Sequence, residues 1–248
     1  MCAKKRNRYE DSKGNKIPGV TSVTGCMSKP ALIGWAAKMT SEHVEKYWKP
    51  GKSYEADQIE LVLQDAKNAH RRKKTEAGDF GSDIHALVES YIGGQITPEQ
   101  VMDSDQRKAL ENFIKVTDGW EWLGAEIIVI HEDKKPLPKD KEPCLPYGGT
   151  ADGIAKLPSG MIILSDVKTS TGVWPEMDLQ VAMYCYAKPT DESLKEVWSK
   201  IEEARILHFD KTRNTWEILE RDVKEQYKYI PHIRMTYEWK KQFASNWS

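Results

Sequence analysis

Residues 149–170 read "GTADGIAKLPSGMIILSDVKTS". Pro158-Ser159-Gly160 divides the stretch into two strand-like halves, with a proline for the first turn position and a glycine for a left-handed residue. A three-residue hairpin is the reading. If Leu157 faces Met161, the register places Asp152 opposite Asp166, and period-two alternation puts Lys168 on the same face as Asp166. Ile154, Ile162 and Leu164 share that face nearer the turn, so three charges sit at the rim of an apolar surface. Apart from Lys156, these three are the charged residues of the stretch.

Like charges directly opposed across two strands destabilise a sheet by about 0.2–1 kcal/mol, and more when partly buried. A divalent cation reverses the sign. Two carboxylates at cross-strand distance are hard oxygen ligands, and magnesium needs one or two of them, with water and a substrate phosphate completing its octahedron. The ammonium of Lys168 would then stand beside a metal-bound water or a charged phosphate. The plainer alternative is an Asp166–Lys168 surface pair with Asp152 in a turn. A D-x-K triplet alone does not choose between them.

The pattern on either side is mixed. Upstream, apolar residues at helical spacing predict a helix over about 30–47, a break at Lys49-Pro50-Gly51, and a second helix over 54–69. The basic run His70-Arg71-Arg72-Lys73-Lys74 comes next. After Gly78 and Gly81, "SDIHALVESYI" predicts a separate helix closed by Gly93-Gly94, with a polar helix over about 98–120 beyond it. Strands are predicted at 125–132, 147–157, 160–169, 204–210 and 215–221, a helix at 174–187, and a polar helix from about Val223. Helices that precede and cover a mixed sheet give one α/β domain, 1–248, with an N-terminal helical part (1–77) and a core (78–248).

Two further pairs stand at one-turn spacing. His85 is placed at the start of its helix, one turn before Glu89, and a neutral imidazole is a usable ligand for a divalent metal. Pairing with Glu89 is its ordinary alternative. Gln180 and Tyr184 follow the hairpin and can hydrogen-bond phosphate or base edges, or form the polar edge of a packed helix.

Composition sets the outer bounds. With 39% hydrophobic residues and nine tryptophans among 248, the chain is expected to fold, and its apolar runs fall short of a membrane helix. The start Met1-Cys2-Ala3-Lys4-Lys5-Arg6 is followed by no apolar run, so the expectation is a soluble, cytoplasmic protein without a secretory signal. Cys2, Cys26, Cys144 and Cys185 show no zinc or iron-sulfur spacing. At net charge −1, any contact with nucleic acid must be local. Arg71-Arg72-Lys73-Lys74 and Lys4-Lys5-Arg6-Arg8 are the basic candidates, each equally readable as a solvated face. Trp120, Trp122 and Trp174 are aromatic enough to stack bases, and core packing is the competing role of each.

In order and approximate spacing, Gly81-x3-His85, Gly149-x2-Asp152, Asp166-x-Lys168 and Gln180-x3-Tyr184 resemble the RecB-like branch of the PD-(D/E)XK nuclease superfamily. "VTSVTGCMSKPALIGWAAKM" also resembles the N-terminal segment of phage-encoded members and of the mitochondrial genome maintenance exonuclease group. The likeness covers about 19–187. It implies a restriction-endonuclease-like core that hydrolyses DNA with magnesium or manganese. His85, Asp152, Asp166 and the backbone carbonyl of Val167 would hold metal, Lys168 would act on the attacking water, and Gln180 and Tyr184 would steady the site and the strand. Ala151 stands where the superfamily's proline would be, and the cysteines do not match the iron-sulfur relatives. Glu89 and Glu126 are second-rank acidic candidates.

The expected activity is exonucleolytic, from single-stranded or frayed DNA ends, in recombination, repair or replication. An endonuclease and a non-catalytic DNA-binding subunit are the alternatives.

Overall fold

The computed structural model describes residues 9–27, 29–132 and 144–243. The cluster Lys4-Lys5-Arg6-Arg8 and Cys2 lie outside them. The chain forms two compact units, a central one built from 1–27 and 84–248, and a helical one over 28–83.

In the central unit a short hairpin, β1 (Tyr9–Glu10) and β2 (Lys16–Ile17), turns at Gly14 and leads into α1 (Val20–Thr24). The helical unit contains α2 (Ala31–Tyr47) and the first part of α3 (Ala56–Ile92), whose residues from Ile84 onward belong to the central unit. The central unit continues with α4 (Ser104–Val116), β3 (Glu121–His131), β4 (Tyr147–Lys156), β5 (Ile162–Lys168) and α5 (Pro175–Tyr186). It ends with β6 (Lys188–Pro189), α6 (Lys195–Trp198), β7 (Ile201–Asp210), β8 (Thr215–Arg221) and α7 (Ile230–Phe243).

Six strands form one mixed sheet in the order β6-β3-β4-β5-β7-β8. Each pairing is antiparallel except β5 with β7, whose parallel join requires the crossover through α5. The fold is therefore mixed α/β, a sheet flanked by helices with a helical region near the N-terminus. Alternation along β4 and β5 supplies both faces. Ile154 and Leu164 pack with Val20 of α1, Leu179 and Met183 of α5 and Ile230 of α7, while Ala155 and Ile163 pack with Trp120 and Trp122. An aromatic cluster builds on Phe113 of α4, which stacks at 5.8 Å on Trp122 and meets Trp216 edge-on at 5.2 Å.

The hairpin has the register read from its turn. Leu157 N–H donates to Met161 at 2.9 Å, Gly160 takes φ +90°, and the ladder runs from Lys156–Ile162 to Gly153–Ser165. Asp152 and Asp166 are the next residue on each strand beyond its last pair.

Two expectations are corrected. The helices expected at 54–69 and after Gly81 are one helix, so the basic run and both glycines lie inside α3 and His85 lies near its end. A helical glycine costs only about 1 kcal/mol relative to alanine, and the stretch between holds helix-favouring Arg, Lys, Glu and Ala with no proline. The helix expected at 98–120 is a 3₁₀ turn, Pro98–Gln100, followed by α4. Asp103 sets that later start by accepting hydrogen bonds from the N–H groups of Asp105 and Gln106. Among the described residues, no helix is long and apolar enough to cross a membrane.

Candidate active site

Asp152 and Asp166 lie one residue beyond the paired stretch of β4 and β5, near enough for the charge of Asp152 to act on Asp166. Asp166 is only 1% exposed. Lys168, two residues on, makes an ion pair with its Oδ2, which among the described residues has no hydrogen bond of good geometry. Asp152 is engaged differently: its Oδ2 accepts the N–H of Val167 at 2.7 Å and lies 3.3 Å from Nδ1 of His85. His85 therefore meets Asp152, not Glu89, which is exposed on α3.

The two carboxylates are driven apart electrostatically. Burial pushes Asp166 up, Lys168 pulls it back, and the charge of Asp152 raises it again, leaving it at about 6. Burial also opposes ionisation of Asp152, but the hydrogen bond and charge of His85, then Lys168 and the Val167 N–H, outweigh it and hold this carboxyl below its usual range. His85 is shifted reciprocally. Desolvation disfavours its charge, and the Asp152 carboxylate overrides this to raise its pKa. One acid thus keeps its charge while its neighbour resists ionising, as expected of two carboxyls competing for few cations.

Gln180 and Tyr184, one turn apart on α5, are joined by a 2.7 Å hydrogen bond from Nε2 to the phenol oxygen. Tyr184 is 3% exposed, and burial together with the charges of Asp166 and Asp152 raises its phenol well above normal. Its ring leaves no room beside Gly149, where an added Cβ would fall 2.5 Å from Cε1. The glycine is a packing requirement of the tyrosine.

The remaining candidates are spread over β3 and α3. Glu126 is half-buried on β3 in the left-handed region at φ +50°, and the register on either side of it, Ala125–Gly153 and Ile127–Ala151, brackets Asp152. Arg72 in the helical unit is held by Asp65 at 2.5 Å, while Arg71 is exposed. Two neighbours escaped the sequence reading. Tyr9 hydrogen-bonds Thr150, two residues before Asp152, at 2.9 Å, and His208 lies in register with Lys168 across the parallel pair and reaches the Ser170 carbonyl at 2.7 Å. His208 had a signal, an i+2 place after Ile206 in a predicted strand. Tyr9 had none, because nothing in its local sequence ties it to β4.

Among the described residues, no three His, Cys, Asp or Glu side chains form a ready metal cage. The donors present still fit a hard divalent cation, since magnesium is bound through one or two carboxylates with water and substrate oxygens. Asp166 is buried with the Lys168 ammonium as its partner, and a cation would add positive charge beside a carboxyl whose ionisation burial and Asp152 oppose.

No protein family and no curated protein matches the sequence. Among solved structures, similarity is found to the protein SSO0001, with TM-score 0.36 and 12% identity over 82% of this chain and 86% of that one. Similarity is also found to a candidate exonuclease from Eubacterium rectale, with TM-score 0.37 and 15% identity over 62% of this chain and 64% of that one. Overlaps this loose assign no function.

Proposed function

We propose that this protein is a divalent-metal-dependent deoxyribonuclease, acting as an exonuclease on single-stranded or frayed DNA ends. The observation that carries the reading is a buried Asp166 carboxyl paired with Lys168 and set beside Asp152, which His85 holds in turn. Two buried carboxyls side by side cost stability even with Lys168 beside them, and a divalent cation would offset that cost. The sequence resemblance to RecB-like nucleases falls on the same four residues and supplies the substrate class.

Asp152 and Asp166 would hold magnesium or manganese, with His85 and the Val167 carbonyl as further donors. The ion would supply charge to the scissile phosphate and lower the pKa of a bound water. Lys168 is held by Asp166 with its ammonium largely desolvated, its side chain 14% exposed. From there it can orient the attacking water by hydrogen bonding and stabilise negative charge developing on phosphate. His85, by bonding Asp152, keeps that carboxylate ionised and ready to bind a cation. Gln180 and Tyr184 form a rigid polar edge that can position the strand.

The test is hydrolysis of linear and covalently closed single-stranded DNA with magnesium at low salt. Linear strands should be degraded to short products while circles survive. Rapid cutting of circles would indicate an endonuclease, and inertness toward both would remove the nuclease reading.

A further inference from the structure

The helical unit carries an exposed aromatic and basic loop that the candidate active site does not use. Residues 46–54, joining α2 to α3, read "KYWKPGKSY", three lysines and three aromatics with no acid between the bounding Glu45 and Glu55. Trp48 is 53% exposed and Tyr47 46%. Surface tryptophans held this openly bury little apolar area to offset their ordering, so a fixed geometry calls for a cause.

The loop fixes that geometry. Tyr54 donates its hydroxyl hydrogen to the Tyr47 carbonyl at 2.9 Å and accepts the N–H of Lys49 at 2.7 Å, closing the turn. Gly51 takes φ +80°, and the Trp48 N–H caps α2 by donating to the Val44 carbonyl at 2.9 Å. Trp48 then stacks on the ring of Tyr54 at 5.2 Å and 19°. The ammonium groups of Lys46 and Lys52 lie 5.8 and 5.5 Å from the rings of Tyr47 and Tyr54. The result is a pre-ordered flat surface with cations around it.

We infer that this loop is a stacking platform for single-stranded nucleic acid, a base lying against Trp48 and phosphates against Lys46, Lys49 and Lys52. The choice of occupant rests on the nuclease reading above and on charge: a chain of net charge −1 offers here a local run of cations interleaved with π-faces. Sequence-tolerant binding of single strands uses that combination.

The experiment measures binding of a fluorescent oligo(dT) of about 25 nucleotides by anisotropy in EDTA, where hydrolysis is not read. Trp48→Ala should weaken binding roughly ten- to a hundredfold, and Trp48→Phe should retain most of the affinity. Replacing Lys46, Lys49 and Lys52 together by Gln should flatten the slope of log affinity against log salt by about 2, at about 0.7 per phosphate contact on single strands. Unchanged melting of each variant shows that the fold is kept. Unchanged affinity and slope overturn the platform, as does a change in oligomeric mass with DNA binding intact, which marks a protein interface. The two readings separate cleanly. Loss of the platform leaves the metal chemistry standing, whereas binding through Trp48 by a protein inert toward DNA removes the nuclease and keeps the platform.

Discussion

Asp166 lies between two incompatible demands, since its buried carboxylate faces Asp152 across the hairpin and has Lys168 as its cation. A metal that binds only the folded state relieves the first demand, and at 100 times its dissociation constant it adds about 2.7 kcal/mol. For a chain of this size that corresponds to a rise of about 5–10 °C in melting midpoint. Magnesium or manganese should produce such a rise in the parent protein, and Asp152→Asn or Asp166→Asn should abolish it; an undiminished rise in both variants would sink the metal site. Lys168→Gln separates chemistry from binding. It removes a charge that acts in the transition state, so turnover should fall on the order of 10²–10³-fold while the metal-induced rise persists. Gly149→Ala tests the packing behind the site, because its Cβ would collide with Tyr184 and Val20 at 2.5 and 3.0 Å. Overpacking of this kind costs about 1–3 kcal/mol, read as a lowered denaturation midpoint. The charged residues of the hairpin were legible because charge stands out against apolar alternation. Tyr9 was not, since its contact with Thr150 spans 141 residues.

At the scale of elements, legibility followed the strength of the local signal. The β4–β5 hairpin was readable because Pro158-Ser159-Gly160 fixes both loop length and register, and α2 because Pro30 and Lys49-Pro50-Gly51 bound it. The two-residue β6 has no pattern to detect and is defined by pairing with Val129 and Ile130. In α3 the local signal misleads, since Gly78 and Gly81 read as breaks although neighbouring residues outweigh their cost. Gly78 measures that cost directly. It is exposed on α3 and an added Cβ would meet nothing within 4 Å. Gly78→Ala should therefore stabilise by about 0.5–1 kcal/mol by removing backbone freedom from the unfolded chain, seen as a raised midpoint in helix-detected denaturation. A lowered midpoint would mean that Gly78 serves a conformation other than continuous helix.

Across the whole molecule, the core of the central unit also couples stability to pH through buried groups outside the candidate site. Cys144 is fully buried and desolvation pushes its thiol up to about 12, while burial also keeps the neighbouring Tyr147 phenol protonated far into the alkaline range. Tyr147 is anchored there by donating its hydroxyl hydrogen to the Met183 carbonyl at 3.0 Å, which ties β4 to α5. In the unfolded chain Cys144 ionises near 9.0. Its native pKa is raised, so its contribution to stability is complete below pH 9 and is lost as pH rises toward about 12, because the unfolded state releases a proton that the folded state retains. Each such proton steepens the decline by about 1.4 kcal/mol per pH unit. In EDTA, to keep metal out of the measurement, stability from denaturant melts should begin to fall near pH 9 and steepen once tyrosine joins. Cys144→Ala will lose some stability throughout from the smaller side chain, but between pH 9 and 10 its curve should be flatter than the parent's by about that one-proton slope. Parallel curves would show that the Cys144 thiol ionises without opening the core, and would place the alkaline limit of the fold elsewhere.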